Sequence, residues 1–155
     1  MDVRFYHLTT TSLEAALPRL LEKVVARGRK ILVHVPEDAE SGEGGTTVQT
    51  LDQALWTYDD ASFLAHDRAG CAHSDQQPIL LTTGHDNENS ADVLVLIDGA
   101  DSPLRESVPM TLMMFDGKRP EVVETCRTHW KTLKDTDASL TYWQQTENGG
   151  WAQKA

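Results

Sequence analysis

The sequence predicts an α/β protein built as a three-layer, open, mostly parallel sheet with helices on both sides. Three observations carry this expectation. Ile31–Val35, Pro78–Thr82 and Val93–Ile97 are short aliphatic runs, the composition of interior strands covered on both faces. A strand-like opening, a helix-period series and the first of these runs together make a βαβ unit. A second helical period occupies Arg119 to Lys134 near the C-terminus.

Taken in order, Val3-Arg4-Phe5-Tyr6-His7-Leu8 alternates and is rich in β-formers, so it reads as the first strand. Thr11-Ser12-Leu13-Glu14 offers a capping box into the apolar series Leu13, Leu17, Leu20, Leu21 and Val24. Pro18 removes one backbone donor inside that helix, which predicts a kink or a regular part that starts near the proline. Gly28 falls where a left-handed residue closes a helix, and Ile31–Val35 follows as a strand. The crossover between them predicts a parallel pair. Met110–Phe115 adds a fifth strand. Glu40–Gly45 has linker composition and Gly84–Ser90 is polar without a period, but neither is long enough to separate domains. One domain over residues 1–155 is expected, with about 147–155 as a frayed or loosely packed end onto which Trp151 can fold back.

At 155 residues and 39% hydrophobic composition the chain suits a single core. No run approaches the roughly 20 apolar residues of a bilayer span, and the start lacks a signal-peptide pattern, so a cytoplasmic protein without a membrane partner is expected. Cys71 and Cys126 lie far apart and outside any C-x-x-C pair, as two reduced thiols would. A net charge of −10 argues against a broad grip on nucleic acid, which depends on Lys and Arg neutralising phosphates. Contact with DNA is expected to be indirect or confined to a local basic patch.

The signatures of catalysis are missing from the sequence. Gly42–Thr47 is glycine-rich, but it has no lysine, carries Glu43 where phosphates would sit and does not directly follow a strand, so neither a nucleotide nor another cofactor is expected. Val93–Asp98 resembles the strand and terminal acid that hold magnesium in nucleotide hydrolases; without a lysine-bearing loop, Asp98-Gly99 reads as a turn. A small hydrolase using Asp98 is the competing enzyme reading. His66, Cys71 and His73 lack a fourth ligand at a recognised spacing, so no metal site is expected. No nucleophile elbow appears either, and a protein without catalytic activity is the better reading.

The C-terminal helix is more informative. Pro120 in its first turn, Glu121 and Glu124 early, and Lys131 and Lys134 late all match the helix dipole. At roughly 100° per residue, Val122, Cys126, His129 and Leu133 form one stripe, assigned to the sheet, and a second stripe carries Val123, Arg127, Trp130, Lys131 and Lys134. That second stripe is expected to be exposed. A Trp among cations has the composition of a binding hot spot, and it suits an acidic peptide that ends in an apolar residue and a free carboxylate.

Three segments resemble the chi subunit family of bacterial DNA polymerase III: Phe5-Tyr6-x-Leu8; Leu51-Asp52-x-Ala54-Leu55-Trp56 followed by Ser62-Phe63-Leu64-x-His66; and Arg127-x-x-Trp130-Lys131. The resemblance implies a Rossmann-like fold that has lost nucleotide binding. It also implies a non-catalytic adaptor that links the clamp loader, through the psi subunit, to the acidic C-terminal tail of single-stranded-DNA-binding protein. Tail binding would then fall on Arg127, Trp130 and Lys131, with Lys134 as a supporting cation and Val123 standing where the motif often has Lys. A second surface, which holds psi or in some members an XPD-like repair helicase, would fall on Trp56, Phe63 and Leu64. From the residues alone Trp56 reads equally well as core, whereas Phe63, in a polar stretch, is the better interface anchor.

Overall fold

The computed structural model describes residues 2–36, 48–57, 66–70 and 72–155. The linker-like Glu40–Gly45, together with Phe63, Leu64 and Cys71, lies outside the described residues. The elements are β1 (Asp2–Leu8), α1 (Leu13–Ala26), β2 (Ile31–His34), α2 (Val48–Thr57), β3 (His66–Arg68), β4 (Ile79–Thr82) and β5 (Val93–Ile97). They are followed by β6 (Met110–Asp116), α3 (Pro120–Lys134), β7 (Ser139–Gln145) and β8 (Trp151–Gln153). The strands form one sheet in the order β3-β4-β2-β5-β6-β1-β7-β8, parallel throughout except that β8 runs antiparallel to β7. The fold is therefore the α/β, mostly parallel sheet that the sequence predicts.

Period-2 alternation divides the core into two layers. Ile31 and Val33 of β2 and Val93, Val95 and Ile97 of β5 pack with Leu13, Leu17 and Leu21 of α1 and Leu51 and Leu55 of α2. Their neighbours Leu32, Leu94 and Leu96 point the other way, into a layer with Phe5, Phe115 and α3 residues Val122, Cys126 and Leu133. Strands that are apolar on both sides are buried on both sides, which is why these runs carry no polar alternation.

Several expectations need correction. β1 and β2 are parallel but not neighbours, because β6 and β5 lie between them. The crossover rule fixes direction and handedness but not how many strands are skipped, and here both edges of β1 are taken by β6 and β7. The N-cap of α1 is Ser12, whose side chain accepts from the Ala15 amide at 3.3 Å, rather than a Thr11/Glu14 capping box. Thr11 is occupied elsewhere, accepting from Gln145 Nε2 at 2.8 Å. Helix α1 starts well before Pro18 and continues through it, with the proline ring buried. Finally, residues 151–153 are not frayed: they are hydrogen-bonded to β7, and the Lys154 amide donates to the Tyr142 carbonyl at 2.7 Å.

Candidate functional site

Helix α3 begins at Pro120, where a missing N–H costs nothing, and ends in Lys131 and Lys134, which favour its negative pole. Val122, Cys126 and Leu133 are buried against the sheet as expected, and His129, half-buried, donates from Nε2 to the Gly99 carbonyl at 2.9 Å. Arg127, Lys131 and Lys134 are exposed, and none of them has an ion-pair partner among the described residues. Val123 and Trp130 depart from the expected exposed stripe: both are half-buried and pack on the core.

The cause is the aromatic layer beneath α3. The Trp130 ring stands edge-on to Phe5, with centroids 5.3 Å apart, and to Tyr142 at 5.7 Å. Phe5 and Tyr142 themselves stack at 6.2 Å. Such edge-on and stacked geometries are the ones aromatic quadrupoles favour. His7 completes the group: its Nδ1 shares a 2.7 Å hydrogen bond with the Tyr142 hydroxyl, and its ring lies 5.0 Å from Phe115. Burial, helped by the positive Arg127, holds the His7 imidazole below its ordinary range, while Asp116 opposes weakly. Burial likewise raises the Tyr142 phenol. At neutral pH the floor is therefore uncharged, and the charge of the site sits on its cationic rim. Such a surface can seat an apolar side chain against Trp130 and hold carboxylates at the rim.

Sequence reasoning did not place Phe5, His7 and Tyr142 in this site. The signal available was the alternation of Leu140 and Tyr142 with Thr141 and Trp143, a strand pattern whose inner face meets α3.

The second expected surface is only partly visible. Trp56 is 55% exposed, so it is not core, although Leu51 and Leu55 of the same helix are buried. Its ring lies 4.7 Å from that of His66, which is buried with Nε2 3.1 Å from Asp52 Oδ1. Arg68 reaches the other Asp52 oxygen at 3.3 Å, so Asp52 ties α2 to β3 beneath the indole. Phe63 and Leu64 lie outside the described residues.

Asp98 acts as a structural strut. Its Oδ1 accepts from the Asp116 amide at 3.1 Å, and its Oδ2 lies 3.5 Å from Arg119 Nη1. Asp98 and Gly99 both adopt left-handed φ, as a tight turn at a strand end requires. His66 is engaged with Asp52 and His73 is exposed, and among the described residues no group of three or more His, Cys, Asp or Glu could hold a metal ion. No helix among the described residues is long and apolar enough to cross a membrane.

The sequence profile of the DNA polymerase III chi subunit, HolC, matches residues 1–141. The chain belongs to the chi subunit family. Its place is accordingly in DNA replication, as a subunit of the DNA polymerase III complex. Direct comparison with curated proteins gives no significant match, so membership is carried by the family's position-specific pattern. The match includes α3 and its cationic stripe; most of β7 and all of β8 lie beyond it.

Proposed function

We propose that this chi-family chain is a non-catalytic adaptor that takes the acidic C-terminal tail of single-stranded-DNA-binding protein on α3 and the psi subunit of the clamp loader on the Trp56 surface. The observation that carries the tail site is Trp130, half-exposed on a floor of Phe5 and Tyr142 and flanked by Arg127, Lys131 and Lys134, which have no ion-pair partner among the described residues. The apolar residue that ends the tail packs against Trp130 and Val123, and its carboxylates meet the cations. Val123, packed on the core layer, contributes to the floor rather than to the rim. In a protein of net charge −10, a local basic patch also steers an acidic partner to one place.

Trp56, the large hydrophobic residue left exposed among the described residues, supports the second contact. A repair helicase is the other candidate for this surface. The hydrolase reading is disfavoured because Arg119 and the Asp116 amide already engage the Asp98 carboxylate.

The test is fluorescence anisotropy of a labelled acidic, Phe-terminated tail peptide titrated with the chain. Saturable, salt-sensitive binding is expected, weakened about tenfold or more by Trp130→Ala or Lys131→Ala, the loss typical of a hot-spot residue. Trp56→Ala should keep tail binding and lose capture of psi. No binding of the peptide by the wild type at low salt overturns the tail site.

A further inference from the structure

On the opposite face of the sheet from α3, a cleft of about 600 Å³ opens between α1 and the β7–β8 hairpin. Its α1 wall carries Arg19 and Lys23, with Arg27 as the helix C-cap and Arg29 just beyond it. At four-residue spacing these side chains rise on one side of the helix, roughly 6 Å apart along its axis. Like charges at this spacing repel, and none of the four has an ion-pair partner among the described residues; the helix dipole favours Lys23 and Arg27 at the C-terminal end of α1 but accounts for neither Arg19 nor Arg29. Among the described residues no carboxylate lines the cleft, although the chain has 24 Asp and Glu against 14 Lys and Arg. The remaining lining cation, Arg4, is paired with Asp2 at 3.2 Å. The facing wall presents two half-buried indoles, Trp143 of β7 and Trp151 of β8.

We propose that this cleft binds a short stretch of single-stranded nucleic acid, with phosphates along the Arg19–Lys23–Arg27–Arg29 row and bases against Trp143 and Trp151. A row of cations facing aromatic platforms is how strands are held without sequence preference, because every base has a π-face and every nucleotide a phosphate. Guanidinium groups also match phosphate geometry in two-point contacts. An acidic peptide fits less well. Such a peptide satisfies the cations but brings no planar bases to lay on the two indoles of the facing wall. The volume lies in the range of drug-sized ligands, on the order of one or two nucleotides. The proposal is independent of the tail site: it uses the other face of the sheet, and both indoles lie beyond the family match.

The experiment is anisotropy of a labelled oligodeoxythymidine with the full chain at low salt. Expected are saturable binding and a slope of log K against log salt of about −1.4, since one or two nucleotides bring about two phosphates to the row and each contributes about −0.7. The double variant Arg19→Glu/Lys23→Glu, which alters only exposed side chains, should weaken binding at least about thirtyfold with an unchanged circular dichroism spectrum. Trp151→Ala should weaken it about tenfold, the loss of one base stack. Lys131→Ala, on α3, should leave it unchanged. No binding by the wild type at low salt overturns the proposal, as does binding that the Lys131 variant loses and the Arg19/Lys23 variant keeps. An acidic peptide that binds in the cleft where the oligonucleotide does not would also overturn it, in favour of a peptide site.

Discussion

Single residues in the α3 layer report on their surroundings through their protons. Burial pushes the Cys126 thiol up to about 12 from an ordinary value near 9, with Asp98 adding to the effect. A raised pKa in the folded state means that the unfolded chain loses its proton first, so the thiol's contribution to stability is present below about pH 9 and is lost as pH rises toward 12. The folded chain should therefore leave Cys126 unmodified by a thiol reagent at pH 8, with labelling appearing only on unfolding, as peptide mapping would show. His7 has the opposite sign. Its imidazole is held below 6.5, so the unfolded chain binds the proton more tightly, and stability falls as pH drops below about 6.5. Thermal melts at pH 7.5 and 5.5 should show this loss, and His7→Gln should shrink it. The burial of Cys126 was legible from helical period alone, but the half-covered setting of Trp130 was not. Period assigns a stripe to the sheet without saying which aromatic residues of the sheet wait beneath it.

At the scale of elements, Gln145 ties the end of β7 to the turn that starts α1. Its Oε1 accepts from the amides of Thr9, Thr10 and Thr11 at 3.2, 2.9 and 3.0 Å. Gln145→Leu leaves these donors without their acceptor and should cost about 2 kcal/mol, or roughly 4–8 °C in Tm for a chain of this size, whereas Gln145→Glu keeps an acceptor and should cost less. A second junction lies at the ends of β1 and β6, where a Cβ on Gly117 would fall inside the van der Waals radii of His7 Nε2 and the Leu8 carbonyl. Gly117→Ala should destabilise by about 2 kcal/mol, read from chemical denaturation, because the clash involves backbone that cannot swing aside. Neither residue stands out in the sequence. A buried glutamine and a crowded glycine acquire their roles from strands that are distant in the chain and meet only in the sheet. By contrast, the boundaries of β5, α3 and the start of α1 follow closely from aliphatic runs, Pro120 and the Ser12 region, because those signals are local.

For the whole molecule, the sheet separates two cationic sites in a chain of net charge −10, one over α3 and one along α1. Removing residues 151–155 should test that separation. The truncated chain loses β8 and the edge-on contact of Trp151 with Tyr6, so it should melt lower and lose the oligonucleotide, yet still bind the acidic tail peptide. By itself the sequence determined β1, β2, β4, β5 and β6, helices α1 and α3, the core stripe of α3 and the three family segments, because each is written within a few consecutive residues or one helical period, whereas the short strands β3 and β8, strand β7 and helix α2 were not read from it. Only the tertiary structure decided that β6 and β5 stand between β1 and β2, that Trp130 is half-covered by Phe5 and Tyr142, that Trp56 is exposed, and that α1 and β8 enclose a cationic cleft. Those facts depend on which distant segments pair across the sheet, and the free energy of that choice is spread over the whole core rather than carried by any local pattern.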